Sequence, residues 1–252
     1  MRSAAAGIIH HWTEAALGFF YPNICQICRQ HRAGAADGYV CERCWSAPGA
    51  ISFIQPPFCD RCGLPFEGDI TVPFECSNCV GQDLHFRYAR AAVEARGLAL
   101  EVIHRYKYHR ALWFEPFLAD LLTRSAAVEL SPKDWDLIVP VPLHPVKRRE
   151  REFNQAERLS RCLSEATGIP METNLLRRLM PTRTQTRLSR GERALNVADA
   201  FGLSRGATMP ANARIVLVDD VLTTGATTNA CAKVLSCNGS SDLCVWTVAR
   251  GL

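Results

Sequence analysis

Eight of the twelve cysteines form four CxxC pairs in the first third of the chain. They are Cys25, Cys28, Cys41, Cys44, Cys59, Cys62, Cys76 and Cys79. The two residues inside each pair let both sulfurs turn toward one metal ion, whereas a disulfide across CxxC is strained and easily reduced. Successive pairs are separated by 12, 14 and 13 residues, spacings at which two pairs converge on one tetrahedral Zn²⁺. The sequence therefore predicts two structural Zn²⁺ sites with four cysteines each.

The three gaps are nearly equal, so spacing alone leaves successive and alternating pairing both open. We favour successive pairing, which gives one zinc ribbon over residues 25–44 and another over residues 59–79. Segments this short bury too little apolar surface to fold alone, so bound metal supplies their folding energy. Neither ribbon carries a basic cluster, and charge therefore gives no support for DNA binding by the ribbons themselves.

The composition is that of an ordinary globular protein, with 48% hydrophobic and 21% charged residues. The most apolar stretch of the N-terminus, residues 8–21, is interrupted by His10, His11 and Glu14, which argues against membrane insertion. Its apolar residues recur at helical spacing, and this predicts an amphipathic helix over residues 1–21. No signal peptide is recognisable, so we expect reduced thiols and a cytoplasmic location.

After the last CxxC pair, short β-rich runs alternate with helical patterns, which is typical of a parallel α/β sheet flanked by helices. The predicted strands are 88–95, 135–141, 213–219 and 243–248, and the predicted helices are 98–108, 113–128, 154–167 and 224–237. We therefore divide the chain into the N-terminal helix (1–21), a double zinc ribbon (22–82) and an α/β domain (83–252).

Positive charge is concentrated in residues 143–193, which hold twelve Lys or Arg against six Asp or Glu, although the net charge of the chain is only +4. A local surplus indicates a site for one anionic ligand. Within it, residues 177–193 are polar and lack apolar periodicity. We expect a long loop there that closes over a ligand, although a plain flexible insertion is the alternative.

The segment 215–228, IVLVDDVLTTGATT, carries the clearest chemistry. Its aliphatic run predicts a strand that delivers the carboxylates of Asp219 and Asp220 to its C-terminal end, where ligands bind in open α/β sheets. The residues after the strand open a helix whose N-terminus favours an anion; they are Thr223, Thr224, Gly225, Ala226 and Thr227.

Two carboxylates next to a phosphate site would repel a bare polyanion. A ribose phosphate avoids this conflict, because its hydroxyls donate hydrogen bonds to Asp219 and Asp220 while its 5′-phosphate lies at the helix N-terminus. A Walker B strand also ends in an acidic residue. However, no Gly in the chain is followed by Lys, so the matching phosphate loop is absent.

The segment resembles the phosphoribosyl pyrophosphate loop of type I phosphoribosyltransferases. Together with further motifs, it is similar to the ComF family, which is associated with natural transformation and the use of external DNA. These motifs are the double zinc ribbon, Tyr106-Lys107-Tyr108, Val139–His144, Arg151–Gln155, Gln185, Glu192-Arg193, Asn196, Ala200-Phe201 and Ala249–Gly251. The resemblance implies a type I phosphoribosyltransferase-like sheet as the fold class of the second part.

The resemblance also implies a pyrophosphate site in the loop formed by Val141, Pro142, Leu143 and His144. Lys107, Arg148 and Arg151 would neutralise the diphosphate, with a Mg²⁺ ion bridging its oxygens. In one departure from the family pattern, Glu152 replaces a Gly between Arg151 and Phe153. If this position needs a positive φ, the change bears on the geometry of the site. Asn154 and Gln155 have capping and packing of the next helix as an alternative role.

Two functions stay open at this point. One is phosphoribosyl transfer from phosphoribosyl pyrophosphate or a related ribose phosphate, for which the sequence names no acceptor. The other is a non-enzymatic adaptor that binds single-stranded DNA and proteins of the DNA-uptake machinery. In a third, simpler interpretation the ribbons only dock onto the α/β domain and stabilise it.

Overall fold

The computed structural model describes residues 23–70, 72–180 and 199–252. The predicted N-terminal helix (1–21) and residues 181–193 of the predicted loop lie outside these ranges. The described residues form a four-stranded parallel sheet, in the order β1-β6-β5-β2. The strands are β1 (Tyr88–Glu94), β2 (Leu137–Pro140), β5 (Arg214–Leu222) and β6 (Asp242–Arg250). All three ladders are parallel, which confirms the predicted sheet type.

Helices cover both faces of this sheet. The α-helices of the described residues are α1 (Glu42–Trp45), α2 (Gly97–Tyr108), α3 (Glu115–Ala126), α4 (Pro145–Arg151), α5 (Gln155–Thr167) and α6 (Ala226–Cys237). Apolar side chains of α2, α3 and α5 pack with Val216 and Val218 on one face of β5. Those of α6 pack with Ile215 and Leu217 on the other face. This alternation explains why the centre of β5 is a continuous aliphatic run.

Helix α4 and a two-stranded antiparallel pair in the α/β domain were not predicted. Helix α4 follows Pro140 closely, and its start is marked by Pro145 at the first helical position and by the His144 side chain, whose Nδ1 accepts a hydrogen bond from Val146 N at 3.3 Å. A short antiparallel pair, β3 (Leu176–Arg178) with β4 (Phe201–Leu203), packs on the α6 face. Residues 177 and 178 therefore belong to a strand, which corrects the predicted start of the loop.

The central strand β5 is longer than predicted. It continues past Asp219 to Leu222, because Val221 and Leu222 still pair with Ala249 and Arg250 of β6. The helix that follows begins at Ala226, two residues later than predicted. Asp219 and Asp220 therefore lie within the paired part of β5 rather than after it. The turn between β5 and α6, Thr223–Gly225, is shorter than predicted.

The first ribbon docks on the α2 and α3 side of the sheet. Trp45 meets the Phe117 ring edge to face, with centroids 5.0 Å apart, and Arg105 Nη1 donates to the Gln26 carbonyl at 2.7 Å. Gly38 has a φ of 58°, and a Cβ there would lie 2.7 Å from Phe117 N. This contact therefore requires glycine.

The second ribbon and the linker cover the outer edge of β1. Ala89 N donates to the Arg61 carbonyl at 2.7 Å, and Ile54 N donates to the Ala92 carbonyl at 3.0 Å. These contacts satisfy backbone groups that an edge strand would otherwise expose. Both ribbons are thus integrated into the α/β domain rather than tethered beside it. None of the helices in the described ranges has the length and apolar character that a bilayer crossing requires.

Candidate functional site: two cysteine clusters and one cavity

The eight CxxC cysteines form two separate clusters. Cys25, Cys28, Cys41 and Cys44 make the first, and Cys59, Cys62, Cys76 and Cys79 make the second. Within each cluster all ligand atoms lie within 4.8 Å of one another. This grouping is the successive pairing, so the alternating arrangement is excluded.

The sulfur positions fit zinc. A tetrahedron with Zn–S bonds of about 2.3 Å has S···S edges of about 3.8 Å. The Sγ atoms of Cys25 and Cys44 are 3.8 Å apart, and those of Cys62 and Cys76 are 3.6 Å apart. Disulfide-bonded sulfurs would be much closer, at about 2.05 Å. Both clusters therefore have the dimensions of four-cysteine zinc sites.

The two clusters repeat the same backbone contact. Cys41 N donates to Cys25 Sγ, and Cys76 N donates to Cys59 Sγ, each at 3.3 Å. Hydrogen bonds of this type stabilise metal-bound thiolates and orient them. Four cysteines in each cluster would fill a tetrahedral coordination sphere, as in structural zinc sites.

A cavity of about 680 Å³ lies at the carboxyl end of the sheet. Thirteen of the fourteen predicted active-site and ligand residues line this cavity: Lys107, Val141, Pro142, Leu143, His144, Arg151, Asp219, Asp220, Thr223, Thr224, Gly225, Ala226 and Thr227. The exception is Arg148, whose guanidinium pairs with Glu157 at 3.2 Å and is largely exposed. Arg148 sits on the solvent side of α4, so the structure does not place it in the cavity wall.

The two acids approach the cavity from opposite faces of the sheet, because neighbouring residues of a strand alternate in direction. Asp220 faces α2, where its Oδ2 is 2.9 Å from Lys107 Nζ. Asp219 faces α6 and β3, close enough to Cys231 and Arg178 to act on their ionisation. The two carboxylates are therefore adjacent in sequence but face different elements, and Lys107 forms an ion pair with Asp220.

Asp219 has an unusual ionisation. Burial and the nearby charge of Asp220 raise the pKa of Asp219 to about 7, although Lys107 acts in the opposite direction. Its Oδ1 also accepts a hydrogen bond from Asp220 N at 2.9 Å. A carboxyl group in this state is ready to accept a hydroxyl donor or a cation.

The turn before α6 forms a cup at the other side of the cavity. Gly225 is the N-cap residue with a φ of 77°, a conformation that glycine adopts without strain. Thr224 Oγ1 accepts a hydrogen bond from Ala226 N at 3.4 Å, and Thr228 Oγ1 donates to the Gly225 carbonyl at 3.0 Å. The first backbone N–H groups of a helix have no carbonyl partner within the helix, so this cup is suited to an anion.

The Val141–His144 loop is braced by the start of α5. Asn154 Nδ2 donates to the Val141 carbonyl at 3.1 Å, while its Oδ1 accepts from Ala156 N at 3.2 Å. Asn154 therefore caps α5 and positions the loop at the same time, and the capping alternative is confirmed for this residue.

Glu152 does occupy a left-handed position, with a φ of 69°. A glycine would adopt this conformation without strain. The carboxylate turns away from the cavity and accepts a hydrogen bond from Arg110 Nη1 at 2.7 Å. The substitution thus adds backbone strain but no negative charge to the cavity wall.

Several residues of the cavity were not predicted as site residues from the sequence. Gln155 is 2% exposed, and its Nε2 has no hydrogen-bond partner within the described part of the chain. Arg178 enters the wall from β3, and the His104 and Tyr108 rings form an outer wall on α2. His104 and Tyr108 are four residues apart on α2, a spacing that places their rings on the same face of the helix. Gln155 belongs to the Arg151–Gln155 motif but was not predicted as a ligand residue, and Arg178 reaches the cavity from a strand rather than from the predicted loop.

Comparison with known proteins shows relatives along nearly the whole chain. Competence protein F of Haemophilus influenzae is 31% identical over 235 residues, which cover 92% of this chain and 98% of that protein. The DNA utilization protein YhgH of Escherichia coli O157:H7 is 30% identical over 240 residues with the same coverage. Competence protein ComFC of Bacillus subtilis is 27% identical over 199 residues, 76% of this chain and 77% of that protein.

A family model described as a double zinc ribbon domain matches residues 16–80. Similar solved structures include a hypoxanthine phosphoribosyltransferase from Staphylococcus aureus, with a TM-score of 0.34 and 13% identity over 55% of this chain and 74% of that one. An adenine phosphoribosyltransferase from Leishmania tarentolae has a TM-score of 0.33 and 16% identity over 55% of this chain and 58% of that one. The identity with competence protein F across nearly the full length shows that the chain belongs to the ComF family.

Proposed function

We propose that the protein binds phosphoribosyl pyrophosphate, or a closely related ribose phosphate, in the cavity at the carboxyl end of the sheet. The observation that supports this proposal is the convergence of two acids, an anion cup and basic side chains around one cavity. A purely anionic ligand would be repelled by the acids, and a neutral ligand would leave the cup unused. A sugar phosphate satisfies both sides.

The ligand would lie with its 5′-phosphate in the cup of Thr223–Thr227. Its ribose hydroxyls would donate to Asp219 and Asp220, and its diphosphate would lie along the Val141–His144 loop. Lys107 and Arg151 line the cavity and would neutralise part of the diphosphate charge. Lys107 would then leave, or share, the contact with Asp220 that it makes in the free protein.

Mg²⁺ fits this site as a companion of the ligand. Carboxylate oxygens are the donors that Mg²⁺ prefers, and Asp219 and Asp220 supply two such groups. Because Mg²⁺ keeps several waters and readily takes phosphate oxygens, we expect it to arrive with the diphosphate. When bound, it would supply neutralisation of the phosphate charge.

If the protein also catalyses transfer, its own residues have clear roles. Lys107 and Arg151 would stabilise the pyrophosphate as it leaves, and the carboxylate of Asp219 would stabilise the positive charge that develops on the ribose. The acceptor would attack the anomeric carbon from the open side of the cavity. Pyrophosphate release measured with a panel of nucleobases tests this step, and no release with any base would favour a binding role.

The biological setting is also a proposal. Relatives carry the names competence protein and DNA utilization protein. We place the ligand site in the use of external DNA, in the cytoplasm, where cysteines stay reduced and available to zinc. The ribbons would serve as docking modules within the protein and for protein partners.

Calorimetric titration of the purified protein with phosphoribosyl pyrophosphate and Mg²⁺ tests the ligand site. We expect saturable heat from the wild type and none from Asp219→Asn/Asp220→Asn. The matched control is Asp69→Asn/Asp134→Asn, which neutralises two exposed acids and should bind as the wild type does. Equal heats from the wild type and the Asp219/Asp220 variant would refute the assignment.

Binding of single-stranded DNA at the rim of the cavity is a second candidate. Tyr108 is 55% exposed, the Arg151 guanidinium lies 5.2 Å from the centre of its ring, and the His104 ring is 4.8 Å away. Exposed aromatic rings beside basic groups stack bases and attract the phosphate backbone. DNA binding that weakens steeply with salt, and weakens further in Tyr108→Ala, would support it. Binding insensitive to both would exclude it.

A further inference from the structure

The side chain of Arg250, at the end of β6, lies between the second cysteine cluster and the anion cup. It is only 5% exposed. On the ribbon side, its Nε donates to the Cys62 carbonyl at 3.1 Å, and its Nη2 contacts Cys62 Sγ at 3.6 Å. One guanidinium therefore touches both the backbone and the sulfur of a zinc ligand.

On the other side, the same guanidinium holds the backbone that leads into the cup. Nη1 donates to the carbonyls of Leu222 at 3.0 Å and Thr223 at 2.5 Å. These are the last residues before Thr224 and Gly225, which open α6. Arg250 thus fixes the strand-to-helix turn from which the cup is built.

A buried guanidinium needs a counter-charge, because an isolated charge in the interior is very costly. No carboxylate pairs with Arg250 among the described residues, whose ion pairs involve other groups. Its nearest anionic group is the second cluster, which carries a net charge of −2 when four thiolates hold one Zn²⁺. Metal at the second cluster is therefore the condition under which Arg250 is well accommodated in this position.

The first cluster lacks such a connection. It reaches the α/β domain through Trp45 on Phe117 and through Arg105 on the Gln26 carbonyl, both of which lead to α2 and α3. Within the described residues these contacts do not touch the Thr223–Thr227 turn. The two clusters are alike in geometry but differ in what they support.

We infer that Arg250 is a positioning residue that links metal occupancy of the second cysteine cluster to the affinity of the cup for a phosphate. The inference rests on the proposed ligand site. Linkage is reciprocal, so a phosphate ligand in the cup must also act on the second cluster. It should leave the first cluster unaffected.

Replacing zinc by ¹¹³Cd²⁺ allows each cluster to be observed separately by NMR, because contacts to the sulfurs change the shielding of the metal nucleus. We expect two resonances, and His31→Gln should move only the first, since His31 Nδ1 is 3.5 Å from Cys28 Sγ. Phosphoribosyl pyrophosphate with Mg²⁺ should then move only the second. A purely structural arginine would not produce this selective shift.

Calorimetry of the zinc-loaded full chain provides the second measurement. Arg250→Lys keeps the positive charge but loses the planar guanidinium that donates to the Cys62 and Thr223 carbonyls at the same time. We expect the affinity for phosphoribosyl pyrophosphate to fall about tenfold, within the usual range of coupling between sites. Arg105→Lys is the matched control, because Arg105 of α2 makes a similar contact with the backbone of the first ribbon. This variant should bind the ligand as the wild type does.

The outcomes are distinguishable. No binding by the wild type would overturn the proposed function, and this inference with it. Binding with neither resonance moved, or with both moved equally, would overturn the inference alone. If Arg250→Lys does not fold, the selective shift in the wild type decides the question by itself.

Discussion

The cysteine clusters and the cavity differ in how well their groups are satisfied. Each cluster has sulfurs at tetrahedral spacing and a backbone N–H directed to a thiolate. The cavity holds a carboxyl with a raised pKa, a buried amide nitrogen without a partner in the described residues, and a left-handed glutamate at its border. The groups of the clusters are arranged for stability. The cavity instead keeps a poorly solvated carboxyl, an amide unpaired within the described residues and a strained backbone position, and a bound ligand can relieve the first two.

The largest effect should come from removing a metal ligand. Cys76→Ser should lower the metal-to-protein ratio from two to one and destabilise the protein by more than about 3 kcal/mol, because metal binding supplies the folding energy of the ribbon. Elemental analysis and chemical denaturation measure the two quantities. Cys237→Ser, which changes an exposed cysteine, is the control and should alter neither. Full metal content in Cys76→Ser would contradict the assignment.

Neutralising Asp219 should stabilise the free protein while abolishing ligand binding. The pKa of Asp219 is raised to about 7 in the folded state, so the folded protein holds a proton that the unfolded chain has released. The free energy of unfolding of the wild type therefore falls as pH rises from about 4 to about 7. Asp219→Asn should therefore be more stable than the wild type by at most about 4 kcal/mol at pH 8, since each pKa unit corresponds to about 1.4 kcal/mol, and nearly equal at pH 4. Denaturation at both pH values, with Asp69→Asn as control, measures this. If the variant is less stable than the wild type at pH 8, the interactions of the Asp219 carboxylate outweigh the cost of burying its charge.

Ligand affinity should follow the same ionisation. Below pH 7 a proton must leave Asp219 before its carboxylate can accept ribose hydroxyls or a cation. We expect affinity to fall about tenfold for each pH unit below that point. Calorimetry between pH 5.5 and pH 8 measures it, and an affinity independent of pH would remove Asp219 from the binding site.

Replacing Gln155 should also stabilise the free protein and weaken ligand binding, but by less than replacing Asp219. Gln155→Met removes a buried nitrogen that has no partner in the described residues, so the free protein should gain about 1 kcal/mol. Ligand affinity should fall, because the amide lines the cavity. Gln82→Met, at an exposed position, is the control. Loss of stability in Gln155→Met would indicate that the amide has a structural partner, and the contrast between the two regions would weaken.

The smallest effect is expected at Glu152. Glu152→Gly relieves a left-handed conformation worth about 1 kcal/mol but loses an exposed ion pair with Arg110 worth about 0.5 kcal/mol. The net gain should stay below about 1 kcal/mol. Glu150→Gly, inside α4, should instead cost about 1 kcal/mol. If both variants lose stability equally by thermal denaturation, backbone strain at Glu152 is not significant.

The sequence alone predicted the two cysteine clusters, the parallel α/β architecture, and the position of the acids and threonines of segment 215–228 next to one cavity. Each depends on spacing within a few residues or on the period of apolar positions, which local chain geometry converts directly into structure. The bounds of most strands and helices followed within a few residues for the same reason.

The groups that surround those residues depend on the tertiary structure. Asp219 and Asp220 are adjacent in sequence, yet strand alternation turns Asp220 toward Lys107 of α2 and Asp219 toward Cys231 of α6. Arg250 contacts Cys62 across 188 positions of the chain. Ionisation and hydrogen bonding depend on distances in space, and those distances are set by the packing of segments that are far apart in the sequence.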